Sequence, residues 1–140
     1  MINEPTITLE AAQRVLAAAV ELARQQKVRA SVAVAGRAGD LKAFARMDGA
    51  SLLSGETSRR KAYTVAATGM STKEFGTILK SEMADEPELF HGMLGIDNII
   101  AFAGGVPIVL EGERVGAVAV SGGTSAQDQE IAEAAAGALI

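Results

Sequence analysis

Two short apolar runs separated by a turn-rich pentapeptide constrain this chain more than any other feature. Ala30–Ala35 (ASVAVA) and Leu41–Met47 (LKAFARM) flank Gly36-Arg37-Ala38-Gly39-Asp40. Runs of this length around glycines read as a β-hairpin, because the glycines supply the backbone conformations that a sharp reversal requires. In the second run Lys42, Phe44 and Arg46 alternate with Leu41, Ala43, Ala45 and Met47. One face is therefore predicted to be core and the other amphipathic and available. Val106–Leu110 and Arg114–Ser121 repeat the pattern around Glu111-Gly112, and Ile99–Phe102 is a further strand candidate. Strands joined by hairpins pair antiparallel, which argues against a doubly wound parallel sheet.

Helical spacing occupies the rest. Thr8 precedes Leu9, Ala12, Val15, Leu16, Ala19, Leu22 and Ala23, one apolar stripe with an N-cap residue before it. A second helix is predicted from Ser54 to a C′ glycine near Gly69. A third opens at Ser71-Thr72-Lys73-Glu74, which has the form of a capping box, and reaches about Met83. Asp85-Glu86-Pro87 stops it, and Glu88–Asp97, which contains His91 and two glycines, reads as a long exposed loop. Thr124-Ser125-Ala126-Gln127 is a second capping box and launches a C-terminal helix through Asp128, Ile131 and Leu139. The predicted order is α-β-β-α-α-β-β-β-α, an α+β fold with an antiparallel sheet packed by helices, in one domain over residues 1–140.

Composition narrows the chemistry. At 140 residues and 49% apolar, the chain fills one core and not two. Aromatics make up only 4%, so alanine and valine carry the core, and the mean hydropathy of +0.22 predicts more apolar surface than one small core hides. A homo-oligomer is expected on that ground. The absence of cysteine excludes a disulfide scaffold, a thiolate nucleophile and a zinc ribbon. A net charge of -4 makes nucleic acid and anionic membrane poor partners. No apolar run approaches the roughly 20 residues of a membrane span, and the first residues lack the pattern of an export signal, so a cytoplasmic location is expected.

No phosphate-loop, dinucleotide, zincin or nucleophile-elbow motif is present. Four constellations remain. Ser121-Gly122-Gly123-Thr124 joins a strand end to a helix start, where free amides and the dipole attract an anion, or where a turn simply caps itself. In Arg59-Arg60-Lys61 successive side chains diverge by about 100°. Arg60 is spaced to pair with Glu56, and Lys61, one turn from Thr57, Ser58 and Thr64, is either an anion-binding or proton-donating lysine or a solvated one. Arg46-Met47-Asp48 ends a strand. The arginine there is suited to hold a carboxylate and Asp48 to act as its partner or a general base, against the alternative of a structural salt bridge. His91 is the only imidazole, a candidate metal or heme ligand or acid-base group, or else a surface residue.

Ala45-Arg46-Met47-Asp48-Gly49-Ala50, Lys61-Ala62, Gly104-Gly105-Val106-Pro107-Ile108 and Gly116-Ala117-Val118-Ala119-Val120-Ser121-Gly122 with Gln127-Asp128 carry a resemblance over about Thr6–Ala135. The sequence resembles the GlcG/HbpS family, also called the heme-degrading or heme-binding domain family. That resemblance implies a profilin-like or Roadblock-like sandwich that assembles into dimers and often octamers. Some members are similar to heme-binding sensors, some to the heme-binding C-terminal domain of PduO-type adenosyltransferases, and some accompany catabolic genes. Heme or a related tetrapyrrole is the implied cofactor, with His91, Thr57 or Thr64 near the iron. Lys61, Gly104, Gly105, Pro107, Ser121, Gly122 and Asp128 match family positions. Departures are Ala103, where a proline is usual, and Gly55-Glu56-Thr57, where relatives carry an apolar run. Two functions are thus expected. One is a small-ligand-binding protein that takes heme. The other is a cofactor-independent isomerase, hydratase or hydrolase for a small organic acid. In the latter Arg46 or Lys61 holds the carboxylate, Glu56 or Asp48 moves a proton, and the amides of Gly104-Gly105 or Gly122-Gly123 stabilise an oxyanion.

Overall fold

Both hairpins close where the turn residues direct. In the computed structural model, which describes Met1–Ile140, β1 (Ser31–Gly36) pairs antiparallel with β2 (Leu41–Arg46), and β3 (Gly105–Leu110) with β4 (Glu113–Ser121). The second turn uses positive φ at both Glu111 (53°) and Gly112 (77°), the combination that matches the twist of a two-residue hairpin. β1 and β4 then pair antiparallel, giving the order β2-β1-β4-β3. Five helices accompany the sheet: α1 (Leu9–Gln25), α2 (Leu52–Thr68), α3 (Thr72–Glu82), α4 (Pro87–Leu94) and α5 (Ser125–Ala136), the last followed by a single 3-10 turn over Gly137–Leu139. The architecture is α+β with an antiparallel sheet, as the hairpin pattern requires.

The caps fall at the expected residues. Thr8 Oγ1 accepts from the Ala11 amide at 3.1 Å, and Gly69 ends α2 in the left-handed region at φ 78°. Thr124 and Gln127 form a reciprocal capping box on α5. Side-chain alternation along the central strands divides the interior in two. Val32, Val34, Val118 and Val120 meet α1 and α5, while Ala33, Ala35 and Ala119 meet Ala62 of α2 on the other face.

Three local expectations are corrected. Residues 88–97 are not a loop throughout, because Pro87 stands at the first turn of α4, where its missing N–H costs nothing and its fixed φ suits a helix start. Ile99–Phe102 is not a strand: the buried Thr64 hydroxyl donates to the Asn98 carbonyl at 2.8 Å and accepts from the Ile100 amide at 2.9 Å, committing that backbone to α2. The order is accordingly α-β-β-α-α-α-β-β-α with four strands. Leu41, assigned to the core face, is 52% exposed because the pairing shifts register between Val34 and Ala35, although Ala43 and Met47 do pack on the main core.

Candidate functional site

The inner face of α2 is built from Ser54, Gly55, Ser58, Lys61, Ala62 and Val65, a mostly small and polar stripe set against alanines and serines of the sheet. Ser31 Oγ and Ser54 Oγ are hydrogen-bonded at 2.8 Å, and Ser58 Oγ donates to the Gly55 carbonyl at 3.0 Å. Ser121 Oγ, opposite Ser31 in the strand register, is buried without a partner.

Lys61 is the most unusual member. Its side chain is 2% exposed, its Nζ donates to the Val120 carbonyl at 2.9 Å, and Asp128 Oδ2 lies 3.6 Å away. The Phe102 ring, half-exposed at the surface, covers the ammonium at 5.1 Å from its centroid. Lys61 belongs to the α2 layer and Asp128 to α5 on the other side of the sheet, and Gly104 makes their meeting geometrically feasible. Gly104 adopts φ +128°, and a Cβ there would lie 2.5 Å from Lys61 Nζ and 2.6 Å from the Val120 carbonyl. Asp128 is oriented from its own side by the Gly123 amide, which donates to Oδ1 at 2.9 Å. Burial pushes the Lys61 ammonium below its ordinary range, opposed by Asp128. Burial likewise raises the Asp128 carboxyl, opposed by the Gly123 amide and Lys61. Each charge is thus held by the other.

The glycine pairs proposed as oxyanion donors have partners within the chain. The Gly104 amide donates to Gln129 Oε1 at 3.0 Å and the Gly105 amide to Thr72 Oγ1 at 3.0 Å. At the start of α5 the Gly123 amide is taken by Asp128 and the Thr124 amide by Gln127 Oε1. Gly122, at φ +130°, brings the chain against Arg29, whose carbonyl oxygen would stand 2.5 Å from any Cβ.

Other predicted residues lie apart from Lys61. Glu56, five positions earlier on α2, faces roughly 140° away. Arg59 Nη2 donates to both of its oxygens at 2.9 Å, Arg60 Nε stands at 3.7 Å, and these cations, Arg59 first, lower its pKa. Arg46 and Asp48 line an open cleft of about 430 Å³ with Val20, Arg24, Ala45 and Met47. They end β2, so β1 intervenes between them and the strand that bonds Lys61. The structure therefore brings Lys61 together with Asp128, and not with Arg46, Asp48 or Glu56. Asp128 is the site residue that spacing alone missed. Its place in the first turn of α5 reads as a helix-dipole carboxylate, and its match to a family position gave no sign that it meets Lys61.

His91 is exposed on α4, its ring edge-on to Phe90 at 5.5 Å between centroids. Beside it an apolar slot of about 400 Å³ is lined by Gly76, Leu79, Lys80, Ala84, Phe90, Leu94 and Ala101. Phe90 and Leu94 are one turn apart on the same helix face, and His91, next to Phe90 in the chain, is not part of the lining. The apolar lining with one cation, Lys80, suits an apolar ligand that carries an acidic substituent. The Thr57 hydroxyl, by contrast, donates to the Leu53 carbonyl of its own helix, and the single Thr64 proton is shared between the Arg60 and Asn98 carbonyls. No group of three or more His, Asp or Glu gathers as a metal-ion site, and no helix is long and apolar enough to cross a membrane.

The family model described as "Haem degrading protein HbpS-like" matches residues 7–137. Protein GlcG of Escherichia coli K12 is 34% identical over 121 residues, 86% of this chain and 85% of GlcG. Among solved structures, a double mutant of HbpS from Streptomyces reticuli aligns with a TM-score of 0.86 at 33% identity, covering 100% of this chain and 91% of that one. PduOC in complex with heme aligns with a TM-score of 0.83 at 27% identity, covering 95% and 94%.

Proposed function

The chain belongs to the HbpS-like family, and from that membership we propose that it is a homo-oligomeric binding protein for heme or a related tetrapyrrole, seated in the slot between α3 and α4. The observation that carries this reading is the slot itself, whose apolar walls suit such a ligand, with the His91 ring against the slot residue Phe90. A family relative solved with heme supports it. Bound heme supplies an iron centre with open coordination chemistry. The chain's own part is to exclude water with Leu79, Phe90 and Leu94, to pair an acidic substituent with Lys80 and to offer His91. Leu52 and Leu53, 76% and 70% exposed at the start of α2, are the apolar surface proposed to be covered by a second copy. The acid-base enzyme reading draws less support, since Glu56 is engaged by two arginines on the outer face of α2 while Lys61 is enclosed.

Hemin titration of the purified chain, followed in the Soret band, tests the proposal. A saturable shift at micromolar protein is expected, with about tenfold weaker binding or a displaced band in His91→Ala and a smaller loss in Lys80→Gln. No saturable shift would sink the heme reading, and an identical titration in His91→Ala would remove His91 as ligand. Light scattering reports the assembly, which a 14.4 kDa particle would contradict.

A further inference from the structure

A second cavity, of about 260 Å³, lies between α2, the β1–β2 turn and Asn98, and its lining does not include Lys61. Its apolar floor is made by Ala35, Leu41 and Ala62, and its polar rim by Arg59, Tyr63 and Asn98. Small residues create the space. Ala35 and Ala62 face each other where larger side chains would meet, and Gly39, at φ +93°, turns the hairpin so closely that a Cβ there would touch the Tyr63 ring at 3.4 Å.

The rim is held in place on two sides. Asn98 stands in the left-handed region at φ 69°, and the buried Thr64 hydroxyl bonds both its carbonyl and the Ile100 amide, fixing this wall to α2. Arg59 is aligned by Glu56, which takes both of its contacts through a single guanidinium nitrogen, Nη2. The fork's other nitrogens are not used by Glu56. Arg59 and Arg60 together outweigh Glu56 by one positive charge, and the neighbouring turn carries Asp40 and Lys42, which stand 3.8 Å apart and balance each other. A cation at the mouth of an apolar pocket, with a phenol and an amide beside it, is the chemistry that recognises an amphiphilic anion.

We propose that this cavity binds small monocarboxylates with an apolar tail, the carboxylate on Arg59 with Tyr63 as a further donor, and the tail on Ala35, Leu41 and Ala62. The site is separate from the α3–α4 slot and does not depend on hemin binding there.

Amide chemical-shift titration of the full chain with benzoate, in parallel with its uncharged analogue benzyl alcohol, tests it. Benzoate is expected to give saturable shifts confined to Gly39, Ala62, Tyr63 and Asn98, and benzyl alcohol little at the same positions. Arg59→Gln, a change at an exposed residue, should weaken benzoate about tenfold with the rest of the spectrum retained, and Tyr63→Phe a few-fold. Equal shifts with benzyl alcohol, unaltered affinity in Arg59→Gln, or shifts centred on the Arg46 cleft would each overturn the proposal. So would the absence of any saturable shift. Repeating the benzoate titration with hemin present separates the two sites: benzoate affinity unchanged by hemin is expected, and displacement of one by the other would refute their independence.

Discussion

The two faces of the sheet are made from the same four strands and yet from different materials. Toward α1 and α5 the strands present Val32, Val34, Val118 and Val120, which bury branched side chains against Val15, Ile131 and Ala132. Toward α2 they present Ser31, Ala33, Ala35, Ala119 and Ser121, met by Ser54, Gly55, Ser58 and Ala62. The first face is held by apolar volume, each buried valine or isoleucine contributing about 1.5–3 kcal/mol. The second is held by close approach: a Cβ on Gly105 would stand only 3.1 Å from the Lys61 carbonyl oxygen. Close approach of small polar residues leaves room for a lysine stem and demands that the remaining polar groups find partners. The Lys61–Asp128 pair and the cavity beside Tyr63 lie against α2 for this reason.

The contrast can be broken most forcefully at the ion pair. Asp128→Ala leaves the Lys61 ammonium buried and unpaired, and urea unfolding should show a loss of about 3–5 kcal/mol. The double variant Lys61→Met/Asp128→Asn should recover most of it, since neither charge is then stranded; a single-variant loss under about 1 kcal/mol would show that the pair is solvated. On the volume-filled face, Ile131→Ala should cost about 3 kcal/mol by opening a cavity. The close-approach face responds to the opposite change, and Ala119→Val should cost about 2 kcal/mol by overpacking against Ala62. If Ala119→Val proved neutral, α2 would have slack and the comparison would fail.

The smallest effect is on pH dependence. The Lys61 pKa is lowered on folding, so the unfolded chain binds more protons as pH climbs toward the ordinary 10.5, and stability contributed by this group rises through that alkaline window. The Asp128 pKa is raised on folding, so its contribution increases as pH falls from the folded-state value toward the ordinary 3.8. Exposed Glu56 has the opposite sign, its contribution being lost as pH falls. Subtracting the pH–stability profile of Lys61→Met/Asp128→Asn from that of the parent isolates the pair. The difference should be least favourable between the two windows, and a flat difference would contradict the shifts.

Much of the fold was legible because its signals are local. Thr8, Gly69 and Thr124 cap where their side chains or backbone freedom suggest, and Glu111-Gly112 turns as its two residues allow. The failures have a common cause in long-range competition for backbone groups. Ile99–Phe102 has strand-like residues, but Thr64 captures the Asn98 carbonyl and the Ile100 amide before a ladder can. Pro87 reads equally as the end of one helix and the first turn of the next, and here it does the latter, opening α4. At the site, Lys61 was visible as a lysine beside hydroxyl residues, whereas its burial and its partner were not.

Local chemistry in the sequence alone determined the antiparallel hairpins, the capped helices and the small-residue strands, because each depends on residues a few positions apart. The tertiary structure decided which charges meet. Lys61 and Asp128 come from opposite helical layers and touch only because Gly104 leaves a gap at the end of the sheet. Glu56, nearer in sequence, is turned to solvent by the pitch of the same helix. A contact of that kind depends on the packing of three layers, and no spacing along the chain encodes it.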